Sequence, residues 1–273
     1  MLIYFKKIYI IGFILIAFVA CKKENLTPAY IKINDIELNN SSTDKITDAW
    51  VYIENQLQGV YELPAKFPVL ETGIKEIRIK AGIKNNGISS SRVFYPFYSS
   101  FIINNFELIS GEEYTINPVV NYLDNISVFN EDFEGVGLEI DTTINSNIDF
   151  EIVNDSAQKY AFATLKDSNS IFEIATIEIL DIPKDGSPVF LELDYKSNTE
   201  FKTGLYVQES GTVIDESILW IREKETWSKI YVNLTPVTSN YFNATSFKLY
   251  LKMERNFSIS ENKIYFDNLK IVY

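Results

Sequence analysis

Apolar and polar residues alternate along many short stretches of this 273-residue chain. In the stretch FKLYLKM, Phe247, Leu249 and Leu251 share one parity, whereas Lys248 and Tyr250 share the other. A period of two is typical of a strand that buries one face. No stretch keeps apolar residues at helical spacing over several turns, and Gly, Asn, Asp, Ser and Pro fill the gaps as turns require. The pattern predicts an all-β protein of sandwich or barrel type.

The alternating pattern is interrupted at residues 121–127. The stretch GEEYTINPVV before the interruption has the pattern of a closing strand, and VFNEDFEG after it opens a new apolar run. The connecting NYLDNIS is polar. We therefore expect two β-sandwich domains, over residues 28–120 and 128–273, joined by a linker over residues 121–127. Both predicted domains have ordinary sizes.

The first 21 residues have a different pattern. Lys6 and Lys7 precede an apolar run of about 13 residues, which is too short to span a bilayer as a helix. Small Ala20 then precedes Cys21, and this order predicts a secretory signal peptide over residues 1–20. The motif FVAC resembles the lipobox of bacterial lipoproteins, which implies cleavage before Cys21 and acylation of its thiol with diacylglycerol. The alternatives are a cleaved signal with a coincidental cysteine and an uncleaved anchor.

The residues after Cys21 bear on where the protein is attached. The stretch KKENLTPAY after Cys21 is polar and contains a proline, so we expect residues 21–27 to form a lipidated flexible leader. The Lys-Glu pair in it resembles part of the export signal of surface lipoproteins in polysaccharide-feeding bacteria. The resemblance implies lipid anchoring in the outer membrane, facing either the cell surface or the periplasm. The chain has no second cysteine, so the secreted part must fold without disulfides on its apolar core alone.

Charge and composition exclude several functions. The net charge of −12 argues against binding to nucleic acid. The chain has no histidine, which excludes Ser-His and Cys-His catalysis and histidine-based zinc sites. No glycine pattern for phosphate or dinucleotide binding is present, and no motif selects a glycosidase pair among the 37 acidic residues. We therefore expect a protein that is not an enzyme.

Each predicted domain resembles a known kind of β-sandwich. The first contains ELPAKFPVLETGIKEIRIKAG, which resembles immunoglobulin-like and carboxypeptidase-regulatory-like sandwiches. The second contains EDFEG, TWSKIYVNLTPV and KIYFDNLKIVY in that order, and it resembles the galactose-binding-like jelly rolls that include many carbohydrate-binding modules. That resemblance implies a core position for Trp227 and a glycan as ligand.

The last strand predicts a bulge and, through it, a metal site. Its apolar alternation changes phase at Asp267, and a bulge would absorb the slip. Asp267 would then point toward the start of the same domain, where Glu131, Asp132 and Glu134 lie. Several carboxylates suit Ca²⁺, and the resembled family often holds a structural calcium between these segments. The alternative is that these acids are solvated strand ends.

Side chains that point out of the second sandwich are the candidates for glycan binding, because amphipathic rings and amides suit a surface that meets a sugar. The candidate ligand-binding residues are Tyr206, Gln208, Trp220, Tyr231, Asn233 and Tyr250. Outward tyrosines are also common in strands from β-propensity alone. Trp220 shares the parity of Ile218 and could equally belong to the core.

These observations predict a lipid-anchored envelope protein that binds a glycan through its second domain. The alternative function is a structural or adaptor lipoprotein that docks a protein partner in a secretion, gliding or import complex of the envelope.

Overall fold

The computed structural model of the protein describes residues 27–39, 43–155 and 158–273, and most of these residues lie in strands. The predicted signal peptide, Cys21 and nearly all of the predicted leader lie outside the described residues. Within the described part of the chain, no helix has the length and apolar character needed to cross a membrane.

Ten strands form the first sandwich. They are β1 (Ala29–Ile33), β2 (Glu37–Leu38), β3 (Asp48–Ile53), β4 (Gln56–Glu62), β5 (Ala65–Val69), β6 (Gly73–Lys84), β7 (Arg92–Phe94), β8 (Phe101–Leu108), β9 (Glu113–Ile116) and β10 (Val119–Val120). One sheet has the order β4-β3-β6, and both β7 and β8 pair with β6. The other strands pair as β5-β1-β9 and β2-β10. Alternating side chains such as Ile77 and Ile79 of β6 fill the core between them.

Eleven strands and one short helix form the second sandwich. They are β11 (Val128–Glu131), β12 (Ile140–Thr142), β13 (Glu151–Asn154), β14 (Lys159–Leu165), β15 (Ile171–Thr176), β16 (Phe190–Ser197), β17 (Phe201–Glu209), β18 (Thr212–Ile221), β19 (Lys224–Asn233), α1 (Thr235–Asn240), β20 (Ser246–Glu254) and β21 (Asn262–Val272). The sequence pattern did not predict α1, which is too short to show a helical period.

The strands of the second sandwich divide between two sheets. The inner sheet, which faces the first sandwich, has the order β13-β14-β21-β16-β19, with β11 also paired to β21. The outer sheet has the order β12-β15-β20-β17-β18. Because the chain passes repeatedly from one sheet to the other, the topology is that of a jelly roll. The predicted fold class, an all-β chain of two sandwiches with the second a jelly roll, is confirmed.

The core of the second sandwich follows the alternation that the sequence shows. Phe247, Leu249 and Leu251 of β20 point between the two sheets and are buried. Leu191 and Leu193 of β16 approach them from the inner sheet. Burial of such side chains contributes roughly 1.5–3 kcal/mol each, which is how a chain without internal disulfides holds this sandwich together.

The outward side of the inner sheet packs against the first sandwich. Phe190, Tyr231 and Val272 belong to the same buried apolar cluster as the core of the first sandwich. Tyr95 of the first sandwich meets Phe190 edge to face, with ring centres 5.4 Å apart. We call this contact between the two sandwiches the seam.

A buried carboxylate lies in the seam. Glu192 of β16 has no exposed surface, and it accepts hydrogen bonds from the hydroxyls of Tyr95 at 2.7 Å and Tyr122 at 2.8 Å. The ammonium of Lys229 on the neighbouring β19 lies 3.6 Å from Glu192 and 3.2 Å from Asp194. A buried carboxylate requires such donors and counter-charge, so these groups fix how the sandwiches meet. Tyr122 comes from the predicted linker, and that segment is therefore part of the seam.

Removing one donor from Glu192 tests the seam. We expect Tyr95→Phe to lower the free energy of unfolding by about 1–2 kcal/mol, because the buried carboxylate loses a hydrogen bond while the ring remains. Urea unfolding measures the change. Tyr30→Phe, at a more exposed tyrosine of β1, is the matched control and should leave stability unchanged. Equal stability of both variants would contradict this role of Glu192.

Candidate functional site

A groove of about 830 Å³ crosses the outward side of the outer sheet, on the face that the first sandwich does not cover. Strands β12, β15, β17 and β20 supply its floor, and the segment after β12 supplies one wall. The lining includes Asp141, Thr143, Asn145, Tyr206, Gln208, Ser246 and Lys248 together with the aliphatic Leu138, Ile144, Ile177 and Val213. The groove therefore combines one aromatic ring, several hydrogen-bonding groups and an apolar edge.

The ring of Tyr206 forms the floor of the groove and packs against Tyr250, a predicted ligand-binding residue that is buried and does not line the groove. The ring of Tyr206 on β17 lies 4.8 Å from the ring of Tyr250 on β20, with an angle of 37° between their planes. Tyr250 is buried beneath Tyr206, which is half-buried. Gly204, the residue paired with Tyr250, makes room for the lower ring, since a Cβ there would lie 2.4 Å from the Tyr250 hydroxyl oxygen. One face of Tyr206 is thus supported from below.

A buried carboxylate fixes the hydroxyl end of Tyr206. Glu173 of β15 is fully buried and accepts hydrogen bonds from Tyr206 at 2.7 Å, Thr143 at 2.6 Å and Asn145 at 2.9 Å. Lys252 lies 3.3 Å away. Burial by itself would raise the pKa of Glu173, but these hydrogen bonds and the lysine outweigh it and hold the pKa below its usual value. Glu173 is therefore ionised and holds Tyr206 in one orientation.

Burial raises the pKa of Tyr206, and its hydrogen bond to Glu173 raises it further. The hydroxyl therefore stays protonated at neutral pH and remains a donor. Glu173 was not among the predicted site residues, and neither were Thr143 and Asn145. A carboxylate in the middle of the apolar stretch IFEIAT is the signal that could have marked Glu173, because a buried acid requires donors around it.

The walls of the groove are polar on one side and aliphatic on the other. Gln208 and Lys248 lie on the same side of the sheet as Tyr206. Gln208 is two residues further along β17, and Lys248 is the residue paired with Tyr206 on β20. Among the described residues, the ammonium of Lys248 has one ion-pair contact, a long one of 3.9 Å with Glu178, so it is available to a ligand. At the rim, Ile144 and Ile177 are exposed to solvent.

Trp220 lies on the outward side of the outer sheet but beyond the groove. It pairs with Lys202 of β17, whose ammonium lies 5.5 Å from the indole centre. Trp220 is 47% exposed, so it is not a core residue. Lys202 precedes Tyr206 by four residues, which places Trp220 about 13 Å along the sheet from the floor of the groove.

Two predicted ligand-binding residues lie elsewhere. Tyr231 is 2% exposed and lies in the seam, where its hydroxyl is 3.0 Å from that of Tyr98. Asn233 accepts a hydrogen bond from the backbone of Thr235 at the start of α1, and its own backbone N–H donates to Asn86. Both point out of their own sandwich, as the alternation predicts. Their strand belongs to the inner sheet, however, so their outward side faces the first sandwich rather than solvent.

Trp227 also differs from its predicted position. The resemblance implies a core residue, but Trp227 is 36% exposed on the outward side of the inner sheet, where it contacts Tyr160. The inner sheet extends beyond the seam at this end, and its outward side there meets solvent.

The four acids predicted to bind calcium are engaged by other groups. Glu131 accepts the backbone N–H groups of Phe133 at 2.8 Å and Glu139 at 2.7 Å, so it closes the loop after β11. Asp132 accepts the backbone N–H of Glu134, and Glu134 itself is paired with Lys159 at 3.3 Å. Among the described residues, no three acidic, histidine or cysteine side chains are grouped to hold a metal ion. The calcium site therefore stays a prediction.

The predicted bulge in the last strand is present. The register between β16 and β21 shifts next to Asp267, and Asn268 adopts a left-handed backbone with φ of 48°. Asp267 is 5% exposed and accepts the backbone N–H of Asn268 at 2.7 Å. Burial, reinforced by the negative charges of Asp194, Asp132 and Glu134, raises the pKa of Asp267 to about 7.

Comparison with known proteins gives likenesses of fold only. No family model matches the chain, and no curated protein matches it. Among solved structures, the chain is similar to the family 11 carbohydrate-binding module of Clostridium thermocellum, solved with a mixed-linked tetrasaccharide, at 14% identity and a TM-score of 0.40 over 54% of this chain and 94% of that one. It is also similar to the xylan-binding domain of family 22 at 15% identity and a TM-score of 0.36, over 55% and 96%. At such low identity and TM-score, these likenesses do not say what this chain binds.

Asp267 gives the protein a predicted pH dependence. Folding raises the pKa of Asp267 from 3.8 to about 7, so the folded protein holds this proton more tightly than the unfolded chain does. The resulting stabilisation is fully present below pH 3.8 and is lost as the pH rises through about 7. We expect Asp267→Asn to stabilise the protein by about 1–2 kcal/mol near pH 8 and to have little effect near pH 4. Urea unfolding at the two pH values measures this. Asp124→Asn, at an exposed acid, is the control, and an equal gain from Asp267→Asn at both pH values would contradict the prediction.

Proposed function

We propose that this protein is a non-catalytic, lipid-anchored envelope protein that binds a glycan in the groove of its outer sheet. The observation that carries the proposal is the Tyr206 ring, supported from below by Tyr250 and held at its hydroxyl by Glu173. An aromatic face held open to solvent suits the apolar C–H face of a sugar ring.

The polar lining supports a sugar rather than a purely apolar ligand. Gln208 offers both donors and an acceptor, and Lys248, on the strand next to Tyr206, offers donors. Sugar hydroxyls need such paired donors and acceptors, because each hydroxyl gives up hydrogen bonds to water on binding. A few polar groups around an apolar surface are the usual composition of a small-molecule site.

The rigidity of the floor favours binding. Tyr206 is fixed by a ring contact and a hydrogen bond to a buried, ionised carboxylate before any ligand arrives. Less side-chain freedom is then lost when a ligand binds, and affinity rises accordingly. Trp220 lies further along the same sheet face and is placed to meet a longer oligosaccharide.

The anchoring part of the proposal rests on the FVAC motif at Cys21 and on the short apolar run before it. Acyl chains on Cys21 would hold the chain at the outer membrane, since more than one chain is needed for a lasting anchor. The first sandwich follows the anchor and would then carry the groove away from the lipid surface.

A second candidate function is binding of a protein partner in an envelope complex. The observation that favours it is the aliphatic rim of the groove, where Leu138, Ile144, Ile177 and Val213 are all exposed. Contiguous exposed apolar side chains are typical of protein interaction sites. An Ile144→Asp substitution separates the two, because it should disrupt a protein contact at the rim and leave the Tyr206 floor intact.

Binding in the groove is tested with two substitutions of one residue. We expect Tyr206→Ala to weaken binding at least about tenfold because the ring is lost, and Tyr206→Phe to weaken it less because the ring remains without its hydrogen bond. Affinity gel electrophoresis against neutral polysaccharides such as mixed-linked β-glucan, xylan and mannan measures the change. Tyr30→Ala, in the first sandwich, is the control. Unretarded migration of the unaltered protein in every gel would count against the proposal.

Anchoring is tested at the cysteine. We expect Cys21→Ser to leave the protein unprocessed and without incorporated radiolabelled palmitate, because a hydroxyl cannot form the thioether. Lys22→Ser, one residue along, should be processed and labelled as the unaltered protein is. Palmitate incorporation in the Cys21→Ser protein would exclude this anchor.

A further inference from the structure

The part of the inner sheet that the seam leaves uncovered carries a row of aromatic rings. Phe162 of β14, Tyr265 of β21 and Lys196 of β16 are directly paired across neighbouring strands, and Trp227 of β19 continues the row. We call these four residues, together with Tyr160 of β14 beside Trp227, the aromatic row. It lies on the opposite side of the second sandwich from the groove, so the two surfaces are independent.

The rings of the aromatic row are in contact with one another. The ring centres of Phe162 and Tyr265 are 4.6 Å apart, and Tyr160 lies 5.4 Å from Trp227 and 6.0 Å from Tyr265. Trp227 is the most exposed of them. Four adjoining aromatic side chains on a solvent-facing strand surface provide a continuous flat apolar area.

A lysine lies in the middle of the row. The ammonium of Lys196 is 4.1 Å from the ring centre of Tyr265 and 5.9 Å from that of Trp227. Within the described ranges, Lys196 has no carboxylate at ion-pair distance, although the chain has a net charge of −12. An ammonium held over aromatic faces keeps its charge available to an anion on the solvent side.

Two more lysines lie at the same end of the sheet. Lys45, from the loop before β3, donates a hydrogen bond to Ser228 beside Trp227 at 2.7 Å. Partial burial lowers the pKa of Lys45, and the positive charges of Lys224 and Lys84 lower it further. In the part of the chain that the structure describes, neither Lys45 nor Lys224 forms an ion pair. Lys45, Lys196 and Lys224 thus bring three ammonium groups to this end of the sheet, where the acids Asp44 and Glu225 are exposed as well.

Three acids line the pocket beside Trp227, of which Asp44 is exposed and the other two are buried. Asp194, in the pocket beside Trp227, is 5% exposed. It forms an ion pair with Lys229 and accepts hydrogen bonds from the side chains of Thr43 and Asn268. Asp267 is equally buried in the same pocket. An anion is therefore disfavoured in this acid-lined pocket and favoured beside the ammonium of Lys196.

We propose that the aromatic row is a second binding site, specific for acidic polysaccharide. A sugar ring stacks on Trp227, and its carboxylate is bound by Lys196 with Lys45 nearby. The proposal commits to an acidic glycan because the surface joins flat rings to Lys196, which has no carboxylate at ion-pair distance among the described residues. It does not depend on the neutral glycan proposed for the groove.

The test compares the two surfaces in one protein. The purified chain is run in affinity gels containing polygalacturonate or alginate, at salt concentrations from about 50 mM to about 500 mM. We expect retardation that weakens as salt rises, falls at least about tenfold in Trp227→Ala and falls several-fold in Lys196→Gln. Tyr206→Ala should be retarded as strongly as the unaltered protein. Circular dichroism and thermal unfolding of each variant confirm that it is folded.

Three results would overturn the proposal. The first is the absence of retardation in both acidic gels. The second is retardation that Tyr206→Ala abolishes and Trp227→Ala does not, which would assign acidic glycans to the groove. The third is binding to vesicles of anionic phospholipid that depends on Trp227 while acidic gels have no effect, which would make the row a lipid-binding surface. Failure of the neutral gels alone would count only against the groove.

Discussion

The arrangement of this protein depends on a carboxylate buried where the two sandwiches meet. Glu192 lies in the seam without solvent, and the hydroxyls of Tyr95 and Tyr122 together with the ammonium of Lys229 compensate its charge. Separation of the sandwiches would take both tyrosine hydroxyls away from Glu192, whereas Lys229 would stay beside it on the neighbouring strand, and apolar side chains such as Phe190 would be exposed. The seam thus couples the two sandwiches through both charge and apolar contact.

The seam also decides which surfaces of the second sandwich are free. It covers one half of the outward side of the inner sheet, including Tyr231, and leaves the half that carries Trp227 in solvent. The outer sheet is uncovered, so its groove is open. Each free surface has its own means of holding aromatic rings: a second tyrosine and an ionised glutamate at Tyr206, and neighbouring rings with a lysine at Trp227.

One buried glutamate lies in the seam and another at the groove, and the two have the same physical role. Glu192 and Glu173 are each surrounded by hydroxyl donors and a lysine, and each orients tyrosine side chains. The donors satisfy the carboxylate, and the carboxylate in return removes the rotational freedom of the rings. In the seam, the oriented tyrosines hold the two sandwiches in one arrangement. In the groove, the oriented tyrosine provides a rigid surface for a ligand.

The sequence by itself determined which side chains point into each sandwich. The alternation placed Phe247, Leu249 and Leu251 in the core, and the phase change at Asp267 marked the bulge, because the period of a strand is a local property. Only the tertiary structure decided which outward side chains meet solvent. Tyr206 and Tyr231 have the same pattern in sequence, yet one floors a groove and the other is buried in the seam. That difference depends on which sheet the first sandwich covers. This contact is made by residues far apart in the chain, so the local alternation of apolar and polar residues contains no information about it.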